Sequence, residues 1–456
     1  MQMKLTTIIL AAGKGTRMKS NLPKVLHKVC GRPMLEHVID AARGAGSERE
    51  IVVIGSGADE VERAITDVEF ALQAEQLGTG HAVKMAKDKI NDMEGTVMIL
   101  CGDTPLVTAD ILEKFIEYHD ESKASATVLT AMMPDATGYG RIVRNQSGSV
   151  DKIVEHKDAT EEELQIHEVN SGMYCFNAKI LFEALEQVTN DNAQGEYYLT
   201  DVLGIIRDKG LLINAFVTNA FTQILGINSR YQLATAERIL RQRKNIELMD
   251  SGVTILDPDS TFIDYDVSVG RDSIILPFTY LETGTKIGEN CSIGPNCRLQ
   301  NTKIGNDVTM QFVYSHDAEV DDDVIIGPYV HLRPGTKISK KVKIGNFVEV
   351  KNSTIGEGSK LPHLQYIGDC DMGSDVNMGC GTITVNYDGK KKFRTTIGND
   401  VFVGCNSNLV APVTIKDGAY IAAGSTITQD VPEGNLAIAR ARQVNKTDWK
   451  DKRHQE

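Results

Sequence analysis

Three groups of residues in this 456-residue chain are of types and spacings that can carry chemistry. The first is LAAGKGTRMKSNLPK, residues 10 to 24, a glycine-containing turn that contains Arg17 and closes on Pro23 and Lys24. Glycines let backbone N–H groups approach an anion, and neighbouring cations suit phosphates. The loop is not a Walker A motif, and Met18 stands where the dinucleotide fingerprint requires its third glycine. Taken alone, AAGKGT also reads as a tight strand-to-helix turn and Lys24 as a solvated charge. The second group is CGDTP, residues 101 to 105, whose Asp103 also reads as a helix cap. The third is His363 in KLPHLQYIGD. An unperturbed histidine titrates near neutral pH and is a natural general base, although a lone histidine is more often structural or exposed.

The elements that position these groups differ between the two halves of the chain. In the first half, short apolar runs (LTTIILAAG, EIVVIG, GTVMILCGD) alternate with helical patterns such as MLEHVIDAARGAG and ADEVERAI. That alternation predicts an α/β, Rossmann-like domain with a mostly parallel sheet and helices on both faces. Ligands bind such sheets beyond the carboxyl ends of strands, so AAGKGT and CGDTP should meet at one site. From Ser229, SRYQLATAERILRQRKNIELMDSG has helical composition and a glycine stop, and reads as a connector.

Beyond it, aliphatic residues recur every sixth position. Val269, Ile275, Leu281, Ile287, Ile293 and Leu299 form one series; Ile326, Leu332, Ile338, Ile344 and Val350 a second; Ile397, Val403, Leu409, Ile415, Ile421 and Ile427 a third. Such hexads, with small residues or glycine at the corners, are the repeat of a β-solenoid, whose rungs bury their inner face only by stacking. Between Met378 and Ile397 the insertion TVNYDGKKKFRTT must leave the solenoid as an outward loop. The expected organisation is a nucleotide-binding domain over 1–228, a helical linker over 229–250 and a solenoid over 251–456.

Composition narrows the partners. The net charge of −13 and ordinary hydrophobic content argue for a globular chain without a nucleic-acid or anionic-membrane surface. Eight cysteines without a CxxC pair suggest reduced thiols. MQMKLTTIIL lacks signal-peptide anatomy and the TTIILAAG run is too short to span a bilayer, so a cytoplasmic protein without membrane insertion is expected.

Together, LAAGKGTRMKSNLPK, EQLGTGHA, TGYGRI, VEHKDA, EVNSG, NAQGEYYLTD, GNFVEVK, HLQYIGD, TVNYDG and NLVAPV occur in the order found in one family. By these motifs the chain resembles the bacterial bifunctional UDP-N-acetylglucosamine pyrophosphorylases / glucosamine-1-phosphate N-acetyltransferases over essentially its whole length. The resemblance implies acetylation of glucosamine 1-phosphate from acetyl-CoA by the C-terminal half. The N-terminal half then transfers UMP from UTP to N-acetylglucosamine 1-phosphate and releases pyrophosphate, which supplies a precursor of peptidoglycan and other envelope polymers. It also implies that the solenoid is a left-handed parallel β-helix, that three copies form a homotrimer, and that Mg²⁺ is the metal.

By the same resemblance, Leu10, Ala11, Ala12 and Gly13 contact the nucleotide, Arg17 faces the departing pyrophosphate and Lys24 neutralises phosphate charge. Gln73, Gly78 and Thr79 correspond to the uracil end, Cys101 and Gly102 flank Asp103 in the nucleotide site, and Gly140, Glu155 and Asn170 match sugar contacts. Asp103 and Asn228 match the metal ligands, both hard oxygen donors of the type magnesium takes. In the second half His363 matches the catalytic base and Arg333 and Lys351 the phosphate clamp. Tyr366 and Asn377 match glucosamine 1-phosphate contacts; Cys380, Asn386, Tyr387, Cys405, Ala423 and Arg440 match the acetyl-CoA groove. Cys380 and Cys405 replace the alanine and serine of many relatives, and the lysines at 390 to 392 read as a solvated charge run. Two other classes remain open at this point: a nucleotidyltransferase whose solenoid only regulates or oligomerises, and a noncatalytic assembly subunit.

Overall fold

The computed structural model describes residues 4–146 and 148–452. Its chain divides into two compact units, Met1–Leu240 and Arg241–Glu456.

The first unit alternates strand and helix: β1 (Leu5–Leu10), α1 (Met34–Gly44), β2 (Arg49–Ile54), α2 (Ala58–Ala64), β3 (Glu69–Leu72), α3 (Thr79–Met85), β4 (Thr96–Cys101) and α4 (Ala109–Ser122). There follow β5 (Ala126–Met132), β6 (Arg141–Arg144), β7 (Val150–Val154), β8 (Glu168–Asn177), α5 (Ala178–Leu185), α6 (Asp201–Asp208) and β9 (Ile213–Thr218). The sheet runs β9-β5-β8-β4-β1-β2-β3, with β6 and β7 attached beyond β8. β1 pairs in parallel with β2 and β4, whereas β8 is antiparallel to β4 and β5. One face packs Leu35, Val38, Leu112 and Phe115 from α1 and α4; the other packs Val83, Leu181, Phe182 and Ile206 from α3, α5 and α6. The sheet is therefore mostly parallel and covered on both faces, as the alternating apolar runs require. Because β1 has β2 on one side and β4 on the other, a crevice opens at their carboxyl ends. Leu10 and Cys101, the last residues of β1 and β4, are register partners there.

A helix, α7 (Arg230–Asp250), follows where the connector was expected. The second unit is a parallel β-helix of short strands in which each strand pairs with one in the next coil, as Ile263 does with Leu281 and Leu281 with Leu299. Three hexads separate such partners and make up one coil. All three aliphatic series lie inside, each member buried. Elsewhere the coil falls one position short of three hexads, as where Lys360 pairs with Asn377. At the insertion it lengthens by more than a hexad, and Asn377 pairs with Phe402. The added stretch leaves the wall as a tight turn closed by a Tyr387–Lys392 bridge.

The corners differ from the expected small residues in one respect. Asn and Asp hold many of them in the left-handed region, which their short polar side chains tolerate. Phe278, Tyr329, Phe347 and Leu364 adopt the same conformation with φ of 58°, 60°, 60° and 50°. All four are more than half exposed, and Tyr329 stacks on Phe347 at 5.3 Å between centroids.

Candidate active sites

Beyond the ends of β1 and β4 lies a cleft of 550 Å³. It is lined by the 10–16 loop, Lys24, Gln73, Gly78, Thr79, Cys101 and Asp103, so most of the residues assigned to the nucleotide share one space. Gly13 shows why the loop is glycine-rich there: it has no left-handed φ, and a Cβ added to it would meet nothing within 4 Å. Neither backbone strain nor packing calls for a glycine, which leaves close approach of a ligand as its use. Gly15 has a packing reason instead, since its Cβ would fall 2.6 Å from Lys24 Cβ. Gly102, in turn, donates its N–H to Leu10 O at 2.9 Å and so ties the two loops together.

Lys24 Nζ is the centre of the cleft. It donates to Asp103 Oδ2 at 2.5 Å and to Asn228 Oδ1 at 3.0 Å. The carboxylate and the amide oxygen, far apart in sequence, therefore converge on one cationic point. Two hard oxygens aimed at one small cation fit Mg²⁺, whose remaining positions are ordinarily filled by water and substrate phosphates. Arg17 stands on the single turn Thr16–Met18 and is exposed, outside the cleft lining.

At the other end Gln73 is buried, and its amide orientation is fixed. Nε2 donates to Gly78 O at 3.0 Å and to His81 Nδ1 at 3.1 Å, so the carbonyl oxygen is left as the end available to a ligand. Gly78 has φ 111°, and its Cβ would strike Tyr197 O at 2.6 Å, so this glycine is demanded by the backbone itself. Thr79 Oγ1 accepts from Leu199 N. The QGEYYLTD segment thus clamps the turn, and its Glu196 lines the cleft beside Gln76 and Lys14. None of these three residues, nor His81, was given a role in the sequence, although Lys14 lies in LAAGKGTRMKSNLPK, Gln76 and His81 in EQLGTGHA and Glu196 in NAQGEYYLTD.

The expected sugar contacts form an adjoining cluster. Asn170 sits at a bulge of β8, where its N–H donates to Gly140 O at 2.9 Å and its Nδ2 to Tyr174 Oη at 2.7 Å. Gly172, two residues on, accepts from Cys101 Sγ and links this cluster to the cleft. Burial, and then Asp158 and Asp201, hold the Glu155 carboxyl above the usual range. Burial pushes the Cys101 thiol up to about 12, with Asp103 adding to it, so this cysteine is a neutral wall.

In the second unit the register explains which residues meet. Asn346 and His363 are partners on adjacent coils, and His363 Nδ1 donates to Asn346 Oδ1 at 2.8 Å. That bond leaves Nε2 as the free basic nitrogen. Along the same corner Gly381 N donates to Leu364 O, Asn406 N to Cys380 O and Gly424 N to Cys405 O. His363, Cys380, Cys405 and Ala423 therefore mark successive coils at one edge. Arg440 Cδ reaches 3.9 Å from the Cβ position of Gly424.

Arg333 and Lys351 end neighbouring coils: Arg333 N donates to Val350 O, and Lys351 pairs with Gly368. Arg333 donates to Glu349 Oε1 at 2.7 Å. Lys351 lies 3.6 Å from Asp369. Tyr366 Oη is 3.4 Å from Asn386 Nδ2, so four of the assigned residues share one stretch of wall. The reading of the lysine run changes in one position. Although Lys392 is exposed, its ammonium meets that of Lys351, and this like-charged neighbour holds its pKa down. Tyr387 is exposed, with its Oη on Gly389 O. Asn377 stacks between Lys360 and Phe402, on the face preceding the His363 corner rather than on that of Lys351 and Tyr366. Asn346 and Glu349 lie in GNFVEVK and Asp369 in HLQYIGD, but none of the three was assigned a role in the sequence.

A nucleotidyl transferase family model matches residues 6–222, and a bacterial transferase hexapeptide model matches 266–301 and 394–429. The bifunctional protein GlmU of Geobacillus thermodenitrificans is 54% identical over 450 residues, covering 98% of this chain and 98% of that one. That of Caldanaerobacter subterraneus subsp. tengcongensis is 56% identical over 451 residues, covering 99% and 98%. That of Clostridioides difficile is 52% identical over 454 residues, covering 99% of each.

Proposed function

The chain belongs to the bifunctional GlmU family, and we propose that its two units catalyse successive steps: acetylation of glucosamine 1-phosphate, then uridylylation of the product to UDP-N-acetylglucosamine. It is a nucleotidyltransferase joined to a hexapeptide-repeat acetyltransferase, built on a left-handed parallel β-helix, with nucleotide and acetyl-CoA as substrates. We assign uridylyl transfer to residues 1–228 and acetyl transfer to 251–456, joined through 229–250. The observation that carries the two-site reading is that each unit assembles its own reacting groups: Lys24 with Asp103 and Asn228 in one, His363 with Asn346 in the other.

Uridylyl transfer gathers anions: the sugar phosphate attacks the α-phosphate of UTP while pyrophosphate departs. Positioning and charge neutralisation therefore matter more than a strong base. Leu10 and Ala11 line the nucleotide, the Ala11 N–H being held by Val53 O, while the N–H groups of Ala12 and Gly13 approach the phosphates. Lys24 neutralises charge at the reacting phosphate, and Arg17 meets the leaving pyrophosphate from outside the cleft. Gln73 receives the uracil N–H on its free carbonyl oxygen, and Gly140, Glu155 and Asn170 hold the sugar. Asp103 and Asn228 would hold Mg²⁺, which supplies further positive charge for the phosphate oxygens.

In acetyl transfer His363 Nε2 takes a proton from the ammonium of glucosamine 1-phosphate. The freed amine attacks the thioester carbon, the C–S bond breaks, and the departing thiolate takes the proton that the acylated nitrogen loses. Arg333 and Lys351 clamp the phosphate, and Cys380, Cys405, Ala423 and Arg440 line the acetyl-CoA path. Assigned residues lie on two faces of one coil stack, Asn377 on one and Tyr366 on the next. A second copy that supplies the missing face would complete the site, and the exposed ladder of Phe278, Tyr329, Phe347 and Leu364 is apolar surface for such an association. A homotrimer with shared acetyl sites follows from this reading. A cytoplasmic location is supported by eight free cysteines, and no described helix is long and apolar enough to cross a membrane.

The test is to supply glucosamine 1-phosphate, acetyl-CoA, UTP and Mg²⁺ to size-separated protein. Release of CoA and pyrophosphate with formation of UDP-N-acetylglucosamine is expected in the trimer fraction. Absence of both products contradicts the function, and a fully acetylating monomer contradicts the shared site.

A further inference from the structure

Asp369 lies beneath the Lys351–Tyr366–Asn386 stretch of wall, and its side chain is only 7% exposed. Its Oδ1 accepts from Asn352 Nδ2 at 2.6 Å and its Oδ2 from Asn386 Nδ2 at 2.5 Å. Lys351 Nζ stands 3.6 Å from the same Oδ2. Despite burial, these donors and Lys351 hold the carboxyl below its usual range.

The repeat provides an internal comparison. One corner asparagine donating to the aspartate of the next coil also occurs at Asn301 and Asp317, at the same 2.6 Å. That bond is a device of the solenoid corner, and it accounts for Asp369 Oδ1. At Asp317 the other oxygen meets the neighbouring His316, and the side chain is 50% exposed. At Asp369 the other oxygen is buried and aimed at two residues of the site. The corner geometry does not require that second set of contacts.

We propose that Asp369 is a positioning residue for acetyl transfer, fixing the polarity of the Asn386 amide and the place of the Lys351 ammonium. This rests on the acetyl-transfer reading above. A carboxylate oxygen can only accept, so Asn386 must turn its NH₂ inward and present its carbonyl oxygen to a ligand. Asn386 was matched to the acetyl-CoA groove in the sequence, but it stands against Tyr366 Oη beside the glucosamine 1-phosphate contacts, so its outward acceptor receives an N–H or O–H of the sugar; a flipped amide would offer the sugar a donor and set oxygen against oxygen. Gly368 keeps the space open. A Cβ there would lie 2.4 Å from Tyr366 Oη and 2.8 Å from Asn386 Nδ2.

The experiment compares wild type, Asp369→Asn, Asn386→Asp and the double exchange D369N/N386D as intact chains. An amide at 369 frees Asn386 to flip, so kcat/KM for glucosamine 1-phosphate should fall about 30-fold to 100-fold while KM for acetyl-CoA moves less than about twofold. Uridylylation of N-acetylglucosamine 1-phosphate by the same preparation should stay at the wild-type rate. N386D sets two carboxylates against each other and should be at least as impaired as D369N. The double exchange restores a donor facing an acceptor and still presents an oxygen outward, so it should recover about 10-fold over N386D. If D369N does not fold, the exchange pair decides by that recovery. Wild-type kinetics in D369N, a matching rise in KM for acetyl-CoA, or no recovery in the double exchange each overturn the proposal. A wild-type chain that does not acetylate at all instead removes the functional reading on which it rests.

Discussion

In the proposed acetyl transfer His363 serves as base with the help of Asn346, which lies in the quoted GNFVEVK but was given no role there. Its Nδ1 donates to Asn346 Oδ1 at 2.8 Å, which fixes the ring and leaves Nε2 for the substrate. Replacing Asn346 with alanine should lower kcat of acetyl transfer about 10-fold to 100-fold with KM for both substrates little changed, because the tautomer and not the binding surface is lost. Steady-state assays over both substrates check this; a kcat equal to wild type would show that His363 needs no such partner. The contrast with Lys24 and Asp103 shows what was legible at this scale. Asp103 follows the end of β4, and Lys24 closes the loop that follows β1, in quotable motifs that a parallel sheet must bring together. Asn346 lies in the quoted GNFVEVK, but in a hexad where asparagine is ordinary filler, so the motif gave it no role. It acquires a role only because the coil at that point falls one position short of three hexads, which places it beside His363.

At the scale of elements, the six-residue series was readable because every member must point inward, whatever the corners do. Single-residue deletions were not, since they shift a corner without disturbing the inner face; from Ile287 to its partner Ile304 the coil is already one position short. The antiparallel course of β8 was equally hidden, because an apolar run has no direction. The packing of α4 on β5 carries its own prediction. His119 is buried, its Nδ1 against Thr127 Oγ1 at 2.7 Å, and burial pulls its pKa down to about 4. In the unfolded chain it titrates near 6.5. The unfolded state thus binds the extra proton between those values, and stability present above about pH 6.5 is lost progressively as pH falls toward about 4. On the order of 2 kcal/mol should be gone by about pH 5. Calorimetry of wild type and His119→Gln at about pH 7.5 and about pH 5 should show a smaller acid loss for the variant in the transition of the first unit. An equal loss in both would mean that His119 is not the titrating group; His37, also buried and lowered, would keep part of the loss in either case.

For the whole molecule the central claim is that one chain carries two separate chemistries in sequence. On the proposed assignment the sites share no residue: Lys24, Asp103 and Asn228, which converge in the first unit, would act on phosphates, and His363, held by Asn346 in the second, on an amine. Asp103→Ala should therefore acetylate normally and His363→Ala should uridylylate normally. The most direct measurement gives each variant, and then their mixture, glucosamine 1-phosphate, acetyl-CoA, UTP and Mg²⁺. Neither variant alone should form UDP-N-acetylglucosamine, D103A should accumulate N-acetylglucosamine 1-phosphate, and the mixture should restore UDP-N-acetylglucosamine through that released intermediate. A mixture that stays inactive while the wild type turns over, or a single variant that completes both steps, would contradict the account.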